Sequence, residues 1–114
     1  MRLLIAALLF CLATSVHAEP VKVVASFSIL ADLARNVGTD GIEVTAVIGP
    51  DGDPHGYEPK PSDARKLAGA TVLVVNGLGL DAWVDRLATA SGFHGIHVVA
   101  SAGEIGRASC RERV

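Results

Sequence analysis

Short β-branched runs alternate with helical patterns along this chain, and that alternation limits its fold more than any other feature. The strand-like runs are VKVVAS, IEVTAVI, TVLVVN and GIHVVAS, which begin at Val21, Ile42, Thr71 and Gly95. Three segments with helical signals separate them: SILADLARNVG at 28–38, a segment that opens at Pro61 and continues as DARKLAGA, and LDAWVDRLATAS at 80–91. Strands and helices that alternate over short links form βαβ units. We therefore predict an α/β fold, a four-stranded parallel sheet with helices on both faces.

The first and third helices each have a predicted core face. In the first, Ile29, Leu33 and Val37 are four residues apart, with Leu30 and Ala34 beside them. This spacing predicts a helical stripe, with Ser26 or Ser28 as N-cap and Gly38 at the helix end. The third helix has two contrasting sets of residues. Leu80, Trp83, Val84 and Leu87 form the predicted core face, and Asp81, Asp85 and Arg86 form the opposite one.

Residues 1–18 have the pattern of a secretory signal peptide. Arg2 precedes an apolar run from Leu3 to Leu12, and Val16 and Ala18 occupy the small-residue positions before Glu19. Such a segment is too short to span a bilayer, and we predict cleavage after Ala18. The alternative is a buried N-terminal helix. No later apolar run is long enough to cross a membrane, so we expect no membrane insertion of the mature chain.

Charge and motif content exclude several classes of function. Residues 19–103 contain ten Asp and Glu against six Lys and Arg, and no basic stripe, which argues against a nucleic-acid partner. No nucleophile elbow, P-loop or zinc-protease motif occurs, so we predict that the protein is not an enzyme.

One polar stretch, GPDGDPHGYEPKPSD at 49–63, combines four prolines and four acidic residues with a single histidine, His55. It follows the second predicted strand, at the carboxyl edge where parallel sheets bind ligands. The prolines restrict the backbone, and Asp53 is one of the nearby acids that offer an acceptor to a ligating imidazole. A surface turn is the alternative, because one histidine does not make a complete metal site. The other histidines of the mature chain, His94 and His97, are predicted surface residues.

The segment GLGLDA at 77–82 matches the glycine pattern of dinucleotide-binding turns. It follows the third strand rather than the first, and Asp81 would repel a pyrophosphate at the position where it serves better as an N-cap. A tight strand-to-helix turn is therefore the preferred interpretation. A secreted α/β domain that binds a nucleotide, or acts as an enzyme, through this turn is the alternative function.

The alternating pattern ends at Glu104. The segment EIGRASCRERV at 104–114 has no apolar period, and a further helix is expected after the fourth strand. We expect 104–114 to be non-native sequence or a disordered tail, and 19–103 to be an incomplete α/β unit.

Three stretches together resemble the zinc/manganese substrate-binding proteins of ABC importers, the family that includes zinc-uptake proteins and adhesin-named lipoproteins. They are VVASFSILADLARNVG, VTAVIGPDGDPHGYEPKPSDARKLAGA and VLVVNGLGLDAWVDRL, and the resemblance covers about 21–101. It implies a bilobal periplasmic protein that binds metal between its lobes, of which this chain holds part of the N-terminal lobe.

The resemblance also implies a role for His55. This residue matches the first metal ligand of the family, and the remaining ligands would lie beyond Ser101, so we expect this chain alone to bind metal poorly. The implied function is capture of periplasmic Zn²⁺, or alternatively Mn²⁺, for delivery to a membrane permease and its ATPase.

Overall fold

The computed structural model describes residues 17–103, which form one layer of β-structure between helices. The elements in chain order are β1 (Val21–Phe27), α1 (Ser28–Gly38), β2 (Ile42–Ile48), α2 (Pro61–Ala68), β3 (Val72–Val75), α3 (Trp83–Ser91) and β4 (Ile96–Val99). A short 3-10 turn at Thr39–Gly41 joins α1 to β2. The predicted alternation is confirmed, and β3, β4 and α3 are each shorter than their sequence patterns.

The four strands form one parallel sheet in the order β2-β1-β3-β4. β1 pairs with β2 from Val21 opposite Ile42 to Phe27 opposite Ile48, and with β3 on its other side. The chain therefore places β2 on one side of β1 and then crosses over to add β3 and β4 on the other side. The carboxyl ends of β1 and β3 flank this change of direction, which is the usual ligand position in open α/β sheets.

Helices cover both faces of the sheet, as predicted. On one face, α1 packs Leu30 and Ala31 against β1 and its neighbours. On the other face, α2 and α3 enclose a larger core with side chains from β1, β2 and β3; its buried members are Val24, Val47, Ile48, Leu67, Leu73, Val75, Trp83, Val84 and Leu87. This second face holds most of the buried apolar surface, and its α3 residues match the predicted core face.

Only part of the predicted stripe of α1 faces the sheet. Ile29, Leu33 and Val37 are 65%, 58% and 86% exposed, and the helix faces the sheet through Leu30 and Ala31. A spacing of four residues occurs both in this exposed row and in the row that contacts the sheet. Periodicity alone therefore does not determine which row is buried. The row with alanine lets the helix axis approach the sheet closely, because a methyl side chain occupies little space.

The predicted cap of α1 is wrong. Its N-cap residue is Phe27, and no side chain caps the helix. Ser26 is fully buried and donates its hydroxyl to Asp81 instead, 55 residues away in sequence. The predicted signal peptide and the predicted tail fall mainly outside the described residues. Between 17 and 103, no helix has the length and apolar character needed to cross a membrane.

Candidate metal site

The loop from Gly49 to Lys60, here called the His55 loop, follows β2 at the carboxyl edge of the sheet. The His55 side chain is 74% exposed, and its Nδ1 lies 2.9 Å from Oδ1 of Asp53. The same oxygen accepts the His55 backbone N–H at 2.9 Å. This double contact places the carboxylate against one ring nitrogen. It favours the tautomer in which Nδ1 carries the proton and Nε2 keeps a lone pair.

The Asp53 carboxylate is stabilised in its charged form by its two bonds to His55. The backbone N–H of His55, followed by the imidazole hydrogen bond, lowers the pKa of Asp53 below its usual value. A charged carboxylate behind an imidazole raises the basicity of the opposite nitrogen, which is the arrangement found behind histidine ligands of metals. Asp53 is thus the acceptor that the acidic composition of the loop predicts.

Two contacts from elsewhere in the fold flank His55. The indole Nε1 of Trp83, on α3, donates to the carbonyl oxygen of Pro54 at 2.8 Å. On the other side, the hydroxyl of Tyr57 donates to Oδ2 of Asp63 at 2.7 Å. The rings of Tyr57 and Trp83 pack together with their centroids 4.9 Å apart. The His55 loop is therefore attached to α2 and α3 on both sides of the imidazole.

Asp63 joins this loop to the start of α2. Its side chain is buried and accepts the Lys60 backbone N–H at 2.9 Å, one half of a capping box, and it lies 3.4 Å from the Lys66 ammonium. Burial raises the pKa of Asp63, but the Lys60 N–H, the Tyr57 hydroxyl and Lys66 outweigh it, so the net pKa is below the ordinary value. Burial, followed by the bond to Asp63, raises the pKa of Tyr57.

The loop after β3, from Asn76 to Ala82 and here called the Gly77 loop, lies at the same edge. Asp81 is 3% exposed and accepts the backbone N–H groups of Asn76 and Gly77 at 2.6 and 3.0 Å, together with the Ser26 hydroxyl at 2.6 Å. Asp81 is therefore not on an exposed helix face, and its carboxylate does not cap α3, whose N-cap is Ala82. Both predictions for Asp81, as N-cap and as a residue of the outer helix face, failed because its carboxylate binds backbone N–H groups of the turn that precedes α3.

This arrangement leaves little room for a nucleotide phosphate. The backbone N–H groups that a dinucleotide turn would present to pyrophosphate already bind a buried carboxylate in the Gly77 loop. A negative charge at that position repels phosphate. The geometry therefore disfavours the alternative function through GLGLDA.

The histidines are arranged as the sequence predicts. His55 is at the carboxyl edge, whereas His94 and His97 are exposed residues before and within β4. Within 17–103, no group of three or more His, Cys, Asp or Glu side chains could together hold a metal ion. Within the same range, His55 with Asp53 behind it is the candidate ligand, without a cluster of further ligand side chains around it. Sequence reasoning missed the roles of Trp83, Tyr57 and Asp63, although an aromatic residue inside so polar a loop was a usable signal.

Comparisons with known proteins show the family to which this chain is similar. The family model described as ZnuA, zinc-uptake complex component A, periplasmic, matches residues 23–112. The chain is 45% identical over 74 residues to the manganese-binding lipoprotein MntA of Halalkalibacterium halodurans, covering 65% of this chain and 25% of that protein. It is 38% identical over 73 residues to the manganese ABC transporter substrate-binding lipoprotein PsaA of Streptococcus pneumoniae, covering 60% and 24%.

A solved structure shows the same fold. The manganese-bound periplasmic metal-binding protein of Candidatus Liberibacter asiaticus superposes with a TM-score of 0.68 and 27% identity, over 74% of this chain and 32% of that one. The chain thus spans about a quarter of the length of the curated relatives it matches.

Proposed function

Because the chain belongs to the ZnuA family of periplasmic zinc-uptake components, we propose that it contributes His55 as a ligand for a divalent metal cargo. In this proposal the protein is the substrate-binding component of an ABC importer, working in the periplasm after removal of residues 1–18. It captures the ion and delivers it to a membrane permease and its ATPase. It performs no catalysis, and 19–103 is the part of its N-terminal lobe present here.

One observation carries the proposal: the exposed His55 imidazole, with Asp53 Oδ1 2.9 Å from Nδ1, in a loop attached to the fold on both sides. A metal ligand must be deprotonated at the coordinating atom and held at a fixed angle. The Asp53 contact supplies the tautomer, and the two flanking attachments restrict the loop. A surface turn would explain the bond from the His55 N–H to Asp53, but it would not require the attachments to Trp83 and Asp63.

The cargo is Zn²⁺ or Mn²⁺ in this proposal. The family description names zinc, whereas the relatives MntA and PsaA are named for manganese. Imidazole suits zinc, and additional carboxylate ligands accommodate manganese, so ligands other than His55 decide between them. Because no cluster of three ligands occurs within 17–103, we expect only weak binding by this chain alone.

The test is a titration of the 114-residue chain with Mn²⁺ or Zn²⁺, comparing wild type with His55→Ala. Paramagnetic broadening by Mn²⁺ detects weak binding and locates it, while competition with Zn²⁺ measures relative affinity. We expect broadening centred on His55 that is lost in His55→Ala. The matched control is His94→Ala, which removes another exposed imidazole far from the loop and leaves the broadening unchanged. Equal binding by wild type and His55→Ala contradicts the proposal.

A further inference from the structure

Within 17–103, the His55 imidazole makes no hydrogen bond to a helix. Its hydrogen-bond partner among the described residues is Asp53, which lies in the same loop and is 75% exposed. The remaining internal backbone bond of this loop, Gly52 N–H to the Gly49 carbonyl at 3.1 Å, is a local turn. The position of the imidazole relative to the sheet therefore depends on the attachments of its neighbours, Pro54 and Tyr57.

The attachment at Pro54 comes from a rigid part of the fold. Trp83 is 5% exposed and is the first residue of α3, where it packs in the larger core with Val84 and Leu87. Its indole N–H reaches across 29 positions of sequence to the Pro54 carbonyl. A buried indole needs a hydrogen-bond partner, and a carbonyl that precedes a ligand fixes the peptide plane from which that ligand projects.

The same indole also contacts the other side of the ligand. The ring of Tyr57 packs against it at 4.9 Å, tilted by 55°. One side chain therefore contacts the residue before His55 through a hydrogen bond and the second residue after it through ring packing. Apolar packing alone would account for the contact between the two rings but not for the hydrogen bond. The directed N–H···O bond is the feature that a phenylalanine could not supply.

We propose that Trp83 is a positioning residue for the metal ligand His55, acting through the hydrogen bond from its indole N–H to the Pro54 carbonyl. This inference rests on the proposed function. The bond fixes the ligand before the metal arrives, so the cost of ordering the loop is not taken from the binding free energy. Loss of a partner bonded to the ligating ring itself typically weakens metal affinity by about 10-fold to 100-fold, and for this bond, one residue away, we expect the lower end of that range.

The experiment removes the N–H and keeps the ring. In the 114-residue chain, Trp83→Phe is compared with a variant in which benzothienylalanine replaces Trp83, because sulfur in place of N–H preserves shape and packing. The control is Leu87→Val, which loosens the same core one turn along α3 and leaves the Trp83 hydrogen bond to Pro54 in place. Each variant is titrated with Mn²⁺, and backbone order parameters of His55 and Gly56 are measured without metal.

We expect both Trp83 variants to bind Mn²⁺ about 10-fold more weakly, with order parameters that fall from about 0.85 toward 0.6. Leu87→Val keeps the wild-type values of both quantities in its folded population. Wild-type affinity and order in the benzothienylalanine variant would overturn the inference, even if Trp83→Phe failed to fold.

The two proposals fail in different ways. If His55→Ala abolishes binding while the benzothienylalanine variant behaves as wild type, the proposed function stands and the role of Trp83 is wrong. If His55→Ala binds Mn²⁺ as the wild type does, the proposed function is wrong. The metal-free order parameters then still decide whether the Trp83 hydrogen bond positions the loop.

Discussion

The two loops at the carboxyl edge of the sheet use an aspartate in opposite ways. In the Gly77 loop, Asp81 is buried and accepts hydrogen bonds from two backbone N–H groups and Ser26. In the His55 loop, Asp53 is exposed and accepts from the backbone and imidazole of His55. The first carboxylate holds its own turn closed, and the second orients a neighbouring imidazole.

The difference between the two loops shows which of them keeps a side chain available to bind a ligand. The single ionisable side chain of the Gly77 loop, Asp81, is already bound by backbone N–H groups of the loop and by Ser26, so the loop has no ionisable side chain left for a ligand. The His55 loop is fixed by residues outside it, Trp83 and Asp63, so its imidazole does not have to stabilise the loop. A ligand side chain is available when other residues hold its backbone in place.

The largest expected effect comes from Asp81→Ala compared with Asp53→Ala. Asp81→Ala leaves the buried Ser26 hydroxyl and two backbone N–H groups without their acceptor, and we expect the free energy of unfolding to fall by about 3 kcal/mol. Asp53→Ala removes an exposed acceptor and should change it by less than about 0.5 kcal/mol. Urea unfolding followed by circular dichroism measures both. Equal losses would mean that the two carboxylates do not differ in role.

A smaller effect is expected at Asp63, which holds the His55 loop to α2. Asp63→Asn should lower the free energy of unfolding at pH 6 by about 1.5 kcal/mol, because the partners of Asp63 favour its charged form. The folded-state pKa lies below the unfolded value of about 3.9. The stabilisation is therefore complete above that value and is lost as the pH falls through the folded pKa.

Unfolding curves at several pH values between 6 and 3 check this prediction. The difference in free energy of unfolding between wild type and Asp63→Asn should become smaller below about pH 4. Asp32→Asn is the control, since its carboxylate is 73% exposed in a surface pair with Arg35 and contributes little. A difference that is constant over the whole range would show that the charge of Asp63 does not stabilise the fold.

The smallest expected effect is a gain in the Gly77 loop. Leu78 has φ of 58° between two glycines that also have positive φ, and its side chain is 61% exposed. A left-handed conformation is costly for leucine, so Leu78→Gly should raise the free energy of unfolding by about 0.5 to 1 kcal/mol. Leu78→Ala retains the strained conformation and should give no comparable gain. Thermal unfolding of the two variants side by side distinguishes the outcomes.

The order of elements and the position of the His55 loop at the carboxyl edge of the sheet were predictable from the sequence. The sequence periods of strands and helices differ clearly here, which fixes the order of the elements. In a parallel sheet, a loop that follows a strand lies at the carboxyl edge whatever the strand's length, and this places the His55 loop. Contacts between residues distant in sequence were not predictable. The bond from Trp83 to Pro54 and the burial of Asp81 depend on how α3 lies against the sheet, which no local pattern encodes.

The exposed row of α1 illustrates the same limit. Ile29 and Leu33 have the spacing of a core stripe, yet the row with Leu30 and Ala31 contacts the sheet. Periodicity identifies an amphipathic helix, but with two adjacent apolar rows it does not determine how the helix is rotated about its own axis, and so which row faces the sheet. Side-chain size against the facing strands decides it.

Trp83 is the single tryptophan of the chain and Tyr57 the single tyrosine, and the two rings are in contact beside the proposed ligand. The protein therefore contains its own optical probe. Its emission spectrum originates from one indole whose N–H is bonded to the loop, and excitation of the tyrosine is transferred to that indole over a few ångströms. Release of the loop exposes the indole to water and shifts the emission to longer wavelength, so loop motion can be followed without any added label.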